Sequence, residues 1–206
     1  IVPDLPGHGL DRRAIDAVSL EAYLARLRGI LDDQDEPVVL VGHSMGGGVV
    51  HHVAQRRPAQ VRHRVYVSGL VAEHGQSLME RLQHNPDSML GQSLDTESDP
   101  RQLTVRSAFL RECFYADCSD EDVTLARLLL VPQATEPLAA IPRTRSDVTQ
   151  IPGTYIRCLQ DRVLSPEFQT STAALAGCSQ VVDLPSSHSP FFSMPEALAQ
   201  QLLRCA

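Results

Sequence analysis

The sequence predicts an α/β fold: a mostly parallel sheet flanked by helices, with a long helical insertion. Two observations predict it. Short Val-rich apolar runs, at residues 37–42 and 65–70, read as parallel strands buried on both faces, and helical spacing follows the first of them. The strand–helix alternation stops near Val71, gives way to helical patterns, and resumes near Tyr155.

The elements follow in order. Ile1 and Val2 are apolar and read as the end of a strand, before the turn-rich loop Pro3-Asp4-Leu5-Pro6-Gly7-His8-Gly9. Ser19 reads as the N-cap of a helix, because Leu20, Tyr23, Leu24, Leu27, Ile30 and Leu31 recur at helical spacing. The strand at residues 37–42 leads into a helix from about Met45 to Arg57, ended by Pro58. The run at residues 65–70 reads as the next strand. Residues 71–150 show helical patterns and no strand, with Ser119 capping a helix that carries Val123, Leu125, Ala126 and Leu128. Strands at 155–159 and 181–184 alternate with helices at 166–176 and 195–204, whose first turns hold Pro166 and Pro195. This divides the chain into an α/β core, residues 1–70 and 151–206, and a helical cap insertion, residues 71–150. Such an insertion sits above the carboxyl ends of the strands, where ligands bind in parallel sheets.

Composition bounds the function. The chain has 206 residues, 43% hydrophobic and 21% charged, with a formal net charge of −7, which fits one globular domain with a large insertion. The acidic balance argues against nucleic acid or an anionic membrane as partner. All 18 basic residues are Arg, so Schiff-base chemistry and a Walker-type lysine are excluded. No apolar run reaches the ~20 residues of a membrane helix, and no signal-peptide pattern is visible. Five scattered cysteines without CxxC spacing point to reduced thiols and a cytoplasmic location. No metal or cofactor is expected: Cys113 and Cys118 lack a second pair at ligand spacing, and residues 117–128 lack the Gly and Glu of a calcium loop.

Gly42-His43-Ser44-Met45-Gly46 fits G-x-S-x-G. It directly follows a buried-strand pattern and opens a helix, the context of a nucleophile elbow. Gly42 and Gly46 let the turn be sharp, and Gly47 and Gly48 let the helix pack closely. Ser44 is then the nucleophile, with the backbone N–H of Met45 placed to stabilise an oxyanion. A serine needs a general base. Of eight histidines, His8 precedes the serine and His43 sits on the strand side of the turn. His51 and His52 run along the helix as a surface pair, His63 is at the amino end of a strand, and His74 and His84 fall in the insertion, exposed. That leaves His188, in the loop after the last strand. Asp161 ends the preceding strand and reads as the acid that orients the base. Its rivals are Asp183, inside the final strand, with Asp147 and Glu167 on either side of the preceding one.

These residues make the chain resemble an α/β-hydrolase, and within that superfamily the branch of methylesterases and hydroxynitrile lyases. The matching stretches are residues 39–47, the insertion residues Phe114-Tyr115, Cys118-Ser119, Glu121-Asp122 and Leu125-Ala126, then Asp161 with Pro166-Glu167-Phe168-Gln169, and His188 with Pro195-Glu196. The resemblance implies a Ser44–His188–Asp161 triad under a cap over a small apolar acyl pocket. The branch's lyases carry a Lys just after the catalytic His; here Ser189 stands there. This favours hydrolysis of a small carboxylic ester, a methyl ester included, through an acyl-enzyme. A lyase, or a non-catalytic ligand-binding relative, is the alternative. The oligomeric state is left open, a homodimer included. The branch also carries an earlier strand whose loop supplies a second oxyanion N–H. From typical element and loop lengths, roughly 30–35 residues of that kind are expected to be missing before Ile1. Residues 38–41 are then expected to form an open apolar edge, and the 206-residue chain by itself to be poorly soluble or inactive.

Overall fold

The computed structural model describes residues 1–142 and 148–205. Before the insertion come helix α1 (Leu20–Asp32), strand β1 (Val38–His43), helix α2 (Gly46–Arg56) and strand β2 (Val61–Val67). The insertion holds helices α3 (Leu78–Leu82) and α4 (Leu90–Ser93), strands β3 (Leu94–Asp95) and β4 (Gln102–Val105), and helices α5 (Leu110–Phe114) and α6 (Asp120–Leu129). Strand β5 (Gln133–Ala134) and helix α7 (Glu136–Ala139) complete it. The core then resumes with β6 (Gly153–Cys158), α8 (Pro166–Leu175), β7 (Gln180–Leu184), α9 (Pro190–Ser193) and α10 (Pro195–Leu203).

The main sheet has the order β1-β2-β6-β7, and all three of its pairings are parallel. Its layers follow from the apolar pattern. Val49 and Val53 of α2 pack with Tyr23 and Leu24 of α1 on one face. Leu198 of α10 packs with Val65, Val67 and Ile156 on the other. The register decides where the chemistry is possible. His43 is level with Val67, Val67 with Ile156, and Cys158 with Leu184. The loops leaving β1, β2, β6 and β7 therefore emerge along one edge of the sheet.

Local capping works as the sequence implies. Ser19 accepts the N–H of Ala22 at the start of α1, and Ser119 with Asp122 forms a capping box on α6. Leu20 N–H also reaches across to Glu136 of α7 at 2.6 Å, tying the insertion to the core helix.

Several expectations are corrected. The insertion is not purely helical: β3, β4 and β5 form a three-stranded antiparallel sheet. Two of these strands are two residues long, too short to show a period of two. Ile1 and Val2 form no strand and are 90% and 99% exposed. Strand β2 begins at Val61, runs through the polar stretch Arg62-His63-Arg64, and stops before Ser68. Arg64 hides there because its guanidinium donates to the carbonyls of Ile151 and Ala176 and to the Tyr66 hydroxyl. His51 is buried rather than on the surface, with Nδ1 3.1 Å from the Tyr66 hydroxyl. Strand β1 is the sheet's edge, and its Val41 is 44% exposed. Open edge strands of this kind invite pairing with other chains.

Candidate active site

Four strand ends meet at the site. Ser44 directly follows β1, Ser68 directly follows β2, Asp161 lies three residues beyond β6, and His188 four beyond β7. Ser44 and Ser68 both have positive φ, 51° and 38°. Such values are uncommon for residues with a Cβ and mark stored strain. At Ser44 the strained turn is held by its neighbours. The Ser44 carbonyl accepts the N–H of Leu70 at 2.8 Å and of Gly47 at 2.9 Å.

Two glycines make this turn possible. A Cβ on Gly42 would lie 2.4 Å from the Gly46 carbonyl oxygen, and one on Gly47 would lie 2.9 Å from Gly69 Cα. Gly46 is different from the sequence expectation: a Cβ there would meet nothing within 4 Å, so the turn leaves room for a larger residue at this position. The Met45 N–H, at the start of α2, has no hydrogen-bond partner among the described residues, as is usual for the first donors of a helix.

Asp161 and His188 are brought together in the interior. His188 Nδ1 and Asp161 Oδ2 are 2.7 Å apart, and the two residues are 2% and 5% exposed. Asp161 is fully engaged. Its Oδ2 also accepts the Ser68 hydroxyl at 2.5 Å, and its Oδ1 accepts the N–H groups of Val163 and Leu164 at 2.7 and 3.0 Å. Burial acts to raise this carboxyl. The charge of His188 and the bonds from His188, Ser68 and Leu164 outweigh it and hold the carboxyl below the usual range. Asp183 is not a competitor, since Arg157 pairs with both its oxygens at 2.7 and 2.8 Å. Glu167 is exposed in the first turn of α8, and Asp147 lies outside the described residues.

His43 is held by a hydrogen bond of its own. Its Nε2 donates to the His188 carbonyl at 2.7 Å, and its ring is 4.6 Å from the His188 ring. Burial, then the nearby His188, push the His43 imidazole down to about 3, so it stays neutral. His74 and His84 are exposed, as expected.

A cavity of about 750 Å³ opens between the sheet edge and the insertion. Ser44 and Met45 form part of its wall, with Leu82, Leu103, Phe114 and Leu138 of the insertion. It is apolar, as the resemblance implies, but large rather than small, within the range that takes drug-sized ligands. His188 is outside this wall. Phe114 lines the cavity and also packs edge-on against the His188 ring, 5.7 Å between centroids. Ser44 Oγ and His188 share no hydrogen bond among the described residues, a separation common in catalytic pairs without substrate.

Residues 1–201 match the family model described as the alpha/beta hydrolase family. The chain belongs to the alpha/beta hydrolase family. This α/β hydrolase is 29% identical over 219 residues to methylesterase 17 of Arabidopsis thaliana, covering 98% of this chain and 79% of the relative. It is also 29% identical over 209 residues to a pyrethroid hydrolase of Sphingobium wenxiniae, covering 97% of this chain and 75% of the relative. A crystal structure of a methylesterase from Arabidopsis superimposes with a TM-score of 0.81 at 26% identity, covering 98% of this chain and 84% of that one. Polyneuridine aldehyde esterase superimposes with a TM-score of 0.84 at 23% identity, a likeness of fold. The methylesterase-branch resemblance is thus matched by relatives that carry that name. Among the described residues, no helix is long and apolar enough to cross a membrane, and no group of three or more His, Cys, Asp or Glu could hold a metal ion.

Three site residues escaped the sequence reading as such. Ser68 falls within a strand pattern, His43 sits on the strand side of the turn, and Asp117, which bonds the loop of His188, lies just ahead of the helix that Ser119 caps. A serine after a strand carries no local signal for a partner 93 residues away.

Proposed function

We propose that this α/β hydrolase is a serine esterase that cleaves a carboxylic ester through an acyl-enzyme. The observation that carries the proposal is the buried His188–Asp161 pair at the same sheet edge as the strained Ser44. Family membership and relatives named methylesterase and pyrethroid hydrolase support ester hydrolysis.

In this reading Ser44 Oγ attacks the ester carbonyl while His188 Nε2 takes its proton. Asp161 holds Nδ1–H, fixing the tautomer, and stabilises the imidazolium that forms. The unpaired Met45 N–H donates to the developing oxyanion. His188 then returns the proton to the leaving alkoxide, and water, activated by the same base, releases the acid. Residues 71–150 act as the cap that walls the substrate cavity. The absence of Lys from the chain, with Ser189 after the base, favours hydrolysis over lyase chemistry. Five free thiols fit a reducing, cytoplasmic setting.

The test is turnover of 4-nitrophenyl and methyl esters by the purified protein. Ser44→Ala and His188→Ala should each lower kcat by about 10⁴-fold or more, and Asp161→Asn by about 10⁴-fold. Wild-type turnover in Ser44→Ala would overturn the mechanism.

A further inference from the structure

The loop that carries His188 has no regular structure of its own, yet it is buried: Ser187 is 1% and Ser189 2% exposed. Buried backbone N–H groups need partners, and here one comes from the insertion. Asp117, in the turn between α5 and α6, accepts the Ser187 N–H at 2.9 Å with one carboxylate oxygen and the Ser187 hydroxyl with the other. On the far side of the histidine, the Cys118 thiol lies 4.0 Å from the Ser189 carbonyl. Phe114, one turn earlier, packs edge-on against the imidazole itself.

The insertion thus contacts the residue before His188, the residue after it, and its ring, all from one short segment. The core grips the same loop from below, through His43 and the His188 carbonyl. Hydrogen bonds to an ionised carboxylate are roughly twice as strong as neutral ones. Burial acts to raise the Asp117 carboxyl, yet hydrogen bonding, led by the two Ser187 bonds, brings it below the usual range, so Asp117 is charged in this contact.

We propose that Asp117 is a positioning residue for His188, a latch that registers the base only when the insertion is seated on the sheet edge. It touches neither substrate nor reacting atoms and acts through Ser187. The cap then does more than wall the cavity: its docking and the alignment of the base are one event. This rests on reading His188 as the general base.

The test compares Asp117→Ala, Asp117→Asn, Ser187→Ala and the double variant Asp117→Ala/Ser187→Ala. The readouts are kcat and KM on a short 4-nitrophenyl ester, and amide hydrogen exchange over residues 185–190. Misplacing a catalytic group by about 1 Å costs up to ~10²-fold, so Asp117→Ala should lower kcat about 10- to 100-fold with KM within about twofold. Asn keeps one accepting oxygen, so Asp117→Asn should fall between wild type and Ala. The double variant should be within about twofold of Asp117→Ala alone, because both changes remove the same contact. Exchange over residues 185–190 should quicken in Asp117→Ala. Wild-type kcat in Asp117→Ala, an effect confined to KM, or losses that simply multiply with Ser187→Ala would each overturn the latch. If Asp117→Ala fails to fold, Asp117→Asn decides, and wild-type kcat with wild-type exchange in that variant overturns it. If the wild-type protein shows no Ser44-dependent turnover, the esterase reading falls. Hydrogen exchange then judges the latch alone: unchanged exchange in Asp117→Ala or Asp117→Asn overturns it.

Discussion

The Ser68 hydroxyl and the His188 Nδ1 converge on one oxygen of Asp161, at 2.5 and 2.7 Å. Two donors on a single oxygen fix the direction in which the carboxylate faces the imidazole. Ser68 holds this place at a φ of 38°, supported by its own N–H bond to the Ile156 carbonyl.

Ser68→Ala keeps the backbone strain and removes the donor. It should lower kcat about tenfold with little change in KM, measured on a short aryl ester, in line with the loss of orientation at a catalytic group. Ser68→Gly removes the donor and relieves the positive φ, a gain of about 1 kcal/mol. Its kcat should match that of Ser68→Ala while its thermal midpoint is higher. Equal activity of wild type and Ser68→Ala would show that the backbone donors of Val163 and Leu164 suffice to hold Asp161.

Acid should destabilise the fold through histidines buried in their neutral form. Burial pushes His51 down to about 3, with His52 and Arg64 adding to it, and His43 is also held at about 3. In the unfolded chain each would titrate near 6.5. Between about 6.5 and 3 the unfolded state therefore binds more protons, and stability rises with pH across that window. At pH 5 each histidine should have cost about 1–2 kcal/mol relative to pH 8. His51→Gln, away from the site, should flatten the slope of denaturant-measured stability between pH 5 and 7. An unchanged slope would mean that His51 protonates within the fold.

The cavity makes a prediction about substrate size. A space of about 750 Å³ lined by Leu82, Leu103 and Leu138 rewards added hydrocarbon. Each buried methylene is worth about 0.8 kcal/mol, so kcat/KM should climb about two- to fourfold per methylene from acetate toward octanoate esters. Leu103→Trp should remove most of that climb and leave acetate hydrolysis near wild type. A maximum at acetate in the wild-type protein would show that the cavity is not used for substrate.

The close approach of α2 to the strand end can be tested at Gly47. A Cβ there meets Gly69 Cα and Leu70 N, both at 2.9 Å and both backbone. Gly47→Ala should cost about 1–3 kcal/mol of unfolding free energy, because backbone cannot yield as a side-chain tip does. At Gly46, where a Cβ meets nothing, Ala should cost less than about 1 kcal/mol.

Much was legible in the sequence because its causes are local. Val-rich runs set the core strands, the glycines around Ser44 set the sharp turn, and Ser19 and Ser119 set helix starts through bonds to residues three positions on. The parallel order of the main sheet puts the carboxyl ends of β1, β2, β6 and β7 on one edge, so Ser44, Asp161 and His188 could be proposed from their order along the chain. What only the tertiary structure decided depends on contacts between distant segments. Ser68 meets Asp161 across 93 residues, Asp117 meets Ser187 across 70, and His43 meets the His188 carbonyl across 145. Arg64 lies in a buried strand only because carbonyls from two other segments accept its guanidinium. The cavity's size is equally non-local, set by how the insertion stands off the sheet. Periodicity and turn chemistry act over a few residues, whereas the orientation of a base is fixed by whatever the folded chain brings against it.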